Sequence, residues 1–313
     1  MERNDIAVSV VIPMYNCGDM LPLCLDSIRA QSFQGFEVII VNNGSTDGSP
    51  VIAEQYARED DRFVVIDHPA GGAGEARNVG VEHARGEYIA FVDGDDRIDT
   101  NYLKKLYEAA ADKDADIAVC GFSYYFLNTQ KTTQGVRMPD RIYEKEEALA
   151  LLLRDTKLKF YLWGKLFRRR LFTENGIKVP DMYYEDAVTT PQLFWFANRV
   201  VSVDCCGYIY TRAFSRYTEV RMTPQRANDY VNTIPMIRLF LERQGQYGRF
   251  RSGMKGHIFH VYFALPSVVK QCGGECRLGV RENVRRARAK IRLSLKADLQ
   301  RLESMDLSKP VIE

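Results

Sequence analysis

Tryptophan and histidine are scarce in this chain of 313 residues, which has two of the first and four of the second, and its seven cysteines include no Cys-x-x-Cys pair. Cys272 and Cys276 stand four apart with no third ligand near in sequence, so no structural zinc motif is expected. The odd cysteine count, with Cys205 and Cys206 adjacent, points to free thiols in a reducing compartment. No apolar run approaches the ~18 residues a membrane span needs. The first residues, MERND, are polar and lead straight into a strand, so no signal peptide is expected and a cytoplasmic location follows. A formal net charge of +2 argues against a general nucleic-acid binder.

What is present is a globular composition, 46% hydrophobic, long enough for one large domain or somewhat more. Residues 8–12 are an apolar, β-branched-rich run closed by Pro13, a pattern that predicts a buried strand. Similar strands are predicted at residues 36–41, 63–67, 88–92 and 117–122. Helices are expected between them at about 20–30, 50–58 and 100–111, with Ser49 as N-cap and Pro50 at the first helical position, and another opening at the glycine loop and containing Glu75, Arg77 and Asn78. This alternation predicts an α/β fold with a mostly parallel central sheet covered by helices. After residue 122 the pattern changes to an extended ribbon (124–143), a helix (144–153), an apolar-aromatic patch (162–167), a helix opening at 183–186 and two short strands (200–203 and 208–211). The basic run Arg168, Arg169 and Arg170 reads as a solvated helix start. From residue 224 the chain reads as helical, at 229–241, 255–270 and 281–302. The last of these is amphipathic, with arginines and lysines beside a leucine-rich stripe. Packing on its own domain is the favoured reading, and contact with an anionic membrane surface the other.

The most conspicuous polar cluster is DGDD at 93–96, at the end of a buried apolar strand. Taken alone it reads as a solvated Asp/Gly turn. Three carboxylates so close would repel one another unless a cation sits among them, and a hard divalent ion bridging phosphate oxygens suits such a set. In parallel sheets ligands bind beyond the carboxyl ends of the strands. Those ends here carry Asn16, then Asn42, Asn43 and Asp47, then a glycine loop, then Asp93 and Asp95. All converge on one rim, which favours a site over a turn. His257 and His260 lie one helical turn apart without a third ligand and read as structural.

Together, SVVIPMYN at 9–16, IIVNNGSTDG at 39–48, GGAGEARN at 71–78 and FVDGDD at 91–96 resemble the family 2 glycosyltransferases, inverting enzymes of the GT-A fold. The resemblance covers about residues 7–215 and extends to WGKLF at 163–167 and YED at 184–186. It implies a nucleotide-sugar-binding half at 7–123 and an acceptor half at 124–215, and the helical pattern beyond it makes 216–313 a C-terminal extension. It implies a nucleoside-diphosphate sugar as donor and a glycan or lipid-linked hydroxyl as acceptor. Pro13, Tyr15, Asn16, Asn42, Asn43, Asp47, Gly72, Arg77, Asp93, Gly94 and Arg212 would bind the donor. Asp95, with Asp93, would hold a divalent metal, Mn²⁺ or Mg²⁺, while Asp96 would support the turn from behind. Asp186 would be the general base, with Glu185 the runner-up. Ser215, with Arg212, falls where relatives place a loop near the diphosphate.

One departure concerns the nucleobase. Where the family usually has two aspartates this chain has Asn42 and Asn43. An asparagine carbonyl can still accept the N3–H of uracil, so a uridine donor remains the leading expectation, while the amide NH₂ would instead favour a base that offers an acceptor there. A nicotinamide-dependent oxidoreductase is excluded because no Gly-x-Gly-x-x-Gly follows the first strand. Nucleotidyl transfer lacks its glycine-rich loop at the same place. A catalytically inactive, nucleotide-binding module of the same fold is the remaining alternative.

Overall fold

A computed structural model describes residues 6–212 and 223–271. The expected helix at 281–302, Ser215, Cys272 and Cys276 lie outside the described residues. The chain divides into two compact units, one from Met1–Ala148, Tyr161–Asp181 and Gln192–Thr218, the other from Leu149–Phe160, Met182–Pro191 and Glu219–Glu313.

The first unit is built on one sheet. β1 (Val8–Met14) and β2 (Phe36–Asn43) are buried almost throughout, as mostly apolar strands covered on both faces are, and their buried Ser9 and Glu37 pair with each other at 2.7 Å. A 3-10 turn (Gly18–Met20) and α1 (Leu21–Arg29) connect them. α2 (Ser49–Glu59) leads to β3 (Phe63–His68), and α3 (Ala73–His83) to β4 (Tyr88–Phe91). These four strands are mutually parallel in the order β3-β2-β1-β4. The start of α2 differs from expectation. Gly48 is the cap and Ser49 the first helical residue, because the Asp47 carboxylate, one position earlier, accepts the Ser49 N–H at 3.0 Å.

Beyond β4 the sheet continues in a way the sequence pattern does not show. A short β5 (Arg97–Ile98) precedes α4 (Tyr102–Asp112), and β6 (Ile117–Phe126) runs longer than expected. The extended ribbon resolves into β7 (Lys131–Val136) and β8 (Arg141–Glu144), followed by α5 (Lys145–Leu153). The apolar-aromatic patch supplies β9 (Lys165–Arg168), inserted antiparallel between β4 and β6. The two short strands are one, β10 (Arg199–Arg212), parallel to β6 with its register shifted between Val203 and Tyr208. Pairing on both sides of that irregularity keeps the strand continuous.

The basic run is a correction. Arg168 ends β9, 17% exposed, and donates to the Tyr88 hydroxyl at 2.7 Å and to Asp114 at 2.8 Å. Arg170 opens α6 (Arg170–Thr173) and meets the buried Asp116 at 2.7 Å. A carboxylate out of water needs cationic partners. Pairing with it accounts for Arg170, while Arg169, the cap of α6, donates to the Gly86 carbonyl at 2.9 Å; the helix start is as expected and the solvation is not.

α7 (Glu185–Phe196) follows Tyr184, whose φ of +64° is left-handed. In the second unit, α8 (Pro224–Arg243) begins at Thr223, whose hydroxyl accepts the Arg226 N–H at 3.2 Å. α8 packs on α9 (Tyr247–Gln271). Gly253 and Gly256 allow α9 to approach residues 150–154 closely, since a Cβ on either would come within 3.0 Å of Leu153 or Arg154. Among the described residues no helix is long and apolar enough to cross a membrane.

Candidate active site

The rim of the first unit is assembled loop by loop. After β1, Pro13 is half-buried, Tyr15 is exposed and Asn16 is left-handed at φ +49°. The short polar side chain of Asn16 tolerates that conformation. Its carbonyl oxygen accepts the Thr46 N–H at 2.8 Å, while its own N–H reaches the Ser45 hydroxyl at 3.2 Å. Asp47 accepts the Gly18 N–H at 3.0 Å. Desolvation works against its ionisation, but the Ser49 hydroxyl and the Ser49 and Gly18 amides lower the pKa overall. The β1 and β2 loops are thus laced together by polar groups that the sequence reading assigned to the donor.

Asn42 and Asn43 serve the same bracing. The Asn42 carbonyl accepts the Ser45 N–H at 3.1 Å, and its amide donates to Asp67 at 2.8 Å. Asn43 accepts from the Gly71 N–H at 3.1 Å and donates to the Gly71 carbonyl at 2.7 Å, which fastens the glycine loop to β2. Gly72 caps α3, and a Cβ there would stand 1.5 Å from a carboxylate oxygen of the exposed Asp181, whose side chain would have to turn away. Asn78 then clasps the backbone of Val179 with both ends of its amide, at 2.8 Å each.

The carboxylate turn follows β4. Arg77, buried on α3, donates to Asp93 at 2.8 Å. The structure therefore aims this arginine at the turn itself. Asp96 is buried and accepts the Tyr208 hydroxyl and the Thr211 N–H, both at 2.7 Å. Tyr208 also accepts the Asp93 N–H at 3.2 Å. Trp163 stacks on Tyr208 with centroids 4.4 Å apart, so the turn rests on an aromatic floor. A Cβ on Gly94 would come 2.7 Å from the Cys17 sulfur, and only glycine lets the turn sit this close to the β1 loop.

The electrostatics single out Asp95 and Asp96. Asp95 is exposed at the tip of the turn yet crowded by protein atoms. Desolvation, and then the charge of Asp93, push its carboxyl up to about 6. Burial, followed by Asp95 and Asp93, raises Asp96 well above the usual carboxylate range. Among the described residues no three His, Cys, Asp or Glu converge as a metal cage. One or two carboxylates completed by phosphate oxygens is the usual way Mg²⁺ is held. Asp95 beside Asp93, two acids whose repulsion a cation would relieve, fits that donor set.

Arg212 closes β10, its guanidinium lying 4.5 Å over the Tyr124 ring. In the second unit, Glu185 and Asp186 form the first turn of α7, and the Asp186 carboxylate accepts the Ala187 N–H at 2.7 Å. The strained Tyr184 that presents them packs on Tyr230. Positive-φ residues of this size persist only where their surroundings hold them, often at functional sites. His257, buried, bonds Thr233 at 2.8 Å, and His260 lies 3.1 Å from Asp155.

Sequence reasoning missed Tyr208, whose hydroxyl holds the turn from a strand far along the chain, and Asp67, which looked like an ordinary strand end. Asp67 had a weak signal, since it precedes the glycine loop at the carboxyl end of a strand on the same rim.

The sequence profile of glycosyl transferase family 2 matches residues 9–176. The chain is 37% identical over 208 residues to the putative glycosyltransferase EpsH of Bacillus subtilis (strain 168), an alignment covering 65% of this chain and 60% of that protein. It thus spans less than two thirds of that relative's length. Among solved structures, S. aureus TarS 1–349 in complex with UDP-GlcNAc superposes with a TM-score of 0.59, at 21% identity and 92% coverage of both chains. The mannosyltransferase PcManGT from Pyrobaculum calidifontis, in complex with GDP-Man and Mn²⁺, gives 0.57 at 18% identity, covering 95% of this chain and 83% of that one. These likenesses agree with the sheet described above as a GT-A fold, and the chain belongs to glycosyl transferase family 2.

Proposed function

We propose that this chain is an inverting glycosyltransferase that moves a sugar from a UDP-sugar to a hydroxyl of a glycan or lipid-linked acceptor. The observation that carries this reading is the carboxylate turn Asp93–Asp96, held between Arg77 and Tyr208 on a rim where the β1, β2 and β3 loops also end. Strand ends of this kind are where α/β sheets bind nucleotides.

In the proposed step the acceptor oxygen bonds the anomeric carbon from the face opposite the diphosphate. The C–O bond to the diphosphate breaks and the electron pair leaves with it. A hydroxyl is a weak nucleophile at neutral pH, so Asp186 takes its proton, a role worth about 10²–10⁴-fold in rate. Asp95, with Asp93 beside it, would hold a divalent ion, Mn²⁺ or Mg²⁺, which when bound supplies neutralisation of the charge developing on the diphosphate. Arg77 orients Asp93, and Tyr208 and Asp96 keep the turn from relaxing. The braced loops of Asn16, Asn43 and Gly72 shape the nucleotide's seat.

Three measurements test this reading. Asp186→Asn should lose transfer while retaining donor binding, and retained transfer sinks the base assignment. Calorimetric titration with UDP, GDP and CDP plus Mn²⁺ should favour UDP, whereas tighter GDP or CDP binding overturns the uridine assignment. A lipid-linked acceptor would suit the basic stripe expected over residues 281–302. Removing the chain after residue 280 should then weaken sedimentation with anionic liposomes, and unchanged binding removes that role.

A further inference from the structure

The two asparagines at the end of β2 raise the question of what reads the nucleobase. Parallel pairing puts Met14, Asn42 and Asp67 side by side at the ends of β1, β2 and β3. Met14 is buried, Asn42 is 8% exposed and Asp67 is open to solvent. The orientation of the Asn42 amide follows from its partners. A backbone N–H can only donate, so the atom 3.1 Å from the Ser45 nitrogen is the carbonyl oxygen. The NH₂ group then faces Asp67, whose carboxylate can only accept, at 2.8 Å. The Asn43 amide is committed in the same way to the backbone of Gly71. Each asparagine carbonyl thus already accepts one loop N–H, and both residues are buried. The solvent-facing acceptor at this point of the rim is the carboxylate one strand over.

We propose that Asp67 is the base-reading residue of the donor site, accepting the imide N3–H of uracil with its carboxylate while Asn42 holds that carboxylate in place. The inference rests on the UDP-sugar reading above and adds the residue that sets its base preference. An ionised carboxylate offers about four acceptor positions, of which the Asn42 amide occupies one. Uracil presents an N–H between two carbonyls and completes the pattern. Cytosine presents a bare N3 at the same edge, so acceptor would face acceptor, and leaving such groups unpaired under a bound base is what gives polar sites their discrimination. The negative charge lost from β2, where Asn42 and Asn43 stand, is in this view restored from β3.

Isothermal titration of the full chain with UDP and CDP, each with Mn²⁺, tests this in the wild type, in Asp67→Asn and in the exposed control Asp61→Asn. The Asp67→Asn side chain is isosteric and its carbonyl can still accept from Asn42, while its NH₂ turns a donor toward the base. The wild type should bind UDP at least tenfold more tightly than CDP. In Asp67→Asn that ratio should fall tenfold or more, with CDP gaining on UDP, and Asp61→Asn should leave it unchanged. The diphosphate of 3-methyluridine, which lacks the N3 hydrogen, should bind the wild type about as weakly as CDP does. An unchanged UDP:CDP ratio in Asp67→Asn, or equal binding of UDP and its 3-methyl derivative by the wild type, overturns the assignment and leaves the donor reading standing. Failure of the wild type to bind any nucleoside diphosphate with Mn²⁺ removes the donor reading, and this inference with it.

Discussion

The carboxylate turn of the first unit and the histidine pocket of the second both crowd ionisable groups away from water, but they resolve the problem differently. At Asp93–Asp96 the acids gather in one place, and protein partners only partly satisfy them. Arg77 serves Asp93, Tyr208 and Thr211 serve Asp96, and Asp95 is left pushed up to about 6. At His257 the charge is given up. The Thr233 hydroxyl donates to the Tyr230 carbonyl and so accepts from the imidazole Nε2–H, giving a neutral ring packed edge-on against Phe160. Burial pushes this histidine down to about 3. A site that retains costly charge is ready for a ligand that brings the opposite charge, whereas one that discards it serves the fold.

The strongest challenge to that contrast is Asp95→Ala. If Asp95 retains its charge for a metal-bound diphosphate, transfer should fall about 10³-fold, on the several kcal/mol such neutralisation supplies. Thermal stability should stay level or rise, since a crowded acid has been removed. Steady-state transfer across a Mn²⁺ titration, beside a melting curve, reads both. Preserved activity with lowered stability would make the turn structural, like the histidine.

Asp96→Ala should behave in the opposite sense. The variant strands the Tyr208 hydroxyl and the Thr211 N–H in a buried place. Leaving such groups unpaired costs about 2–4 kcal/mol. Urea denaturation measures it, and a loss below about 1 kcal/mol would mean Asp96 braces nothing.

The histidine pocket makes a prediction about acid. Its folded pKa lies below the unfolded value near 6.5, so the native state prefers the neutral ring. The stability this contributes is present above pH 6.5 and is lost as pH falls through 6.5 toward 3. At pH 5 the loss is about 2 kcal/mol. His257→Gln should narrow the gap between melting temperatures at pH 7 and pH 5, and an unaltered gap would place the acid sensitivity elsewhere.

How much of this was readable beforehand follows the range of the interactions. β1, β2 and β4 were legible because strands buried on both faces are mostly apolar runs, and β3 because its run Phe63–Ile66 is apolar although half-exposed, properties local to each run. β9 was not, because its aromatic patch becomes a strand only by inserting antiparallel between β4 and β6, partners far off in sequence. The same holds at the site. Asp93, Asp95 and Arg77 could be picked out by residue type and order, but the aim of Arg77 at Asp93 and the support from Tyr208 depend on how distant segments meet. Asn42 and Asn43 were expected as donor contacts from their place in the family's motif, and the sequence does not show that their amides also brace the neighbouring loops.

That concealed engagement sets the smallest expected effect. Asn43→Ala removes the bonds that tie the glycine loop to β2, with no charge involved on either side. Gly71 is exposed, so water can replace the lost partners, and the cost should be about 1 kcal/mol of stability. The functional consequence should be separable. The glycine loop opens α3, which carries Arg77, so a loosened loop should weaken UDP binding several-fold while leaving the maximal rate of transfer nearly unchanged. Kinetics as a function of donor concentration distinguishes the two. A fall in maximal rate with donor affinity intact would mean that Asn43 acts on the carboxylate turn, and that the bracing loops and the charged turn form one device and not two.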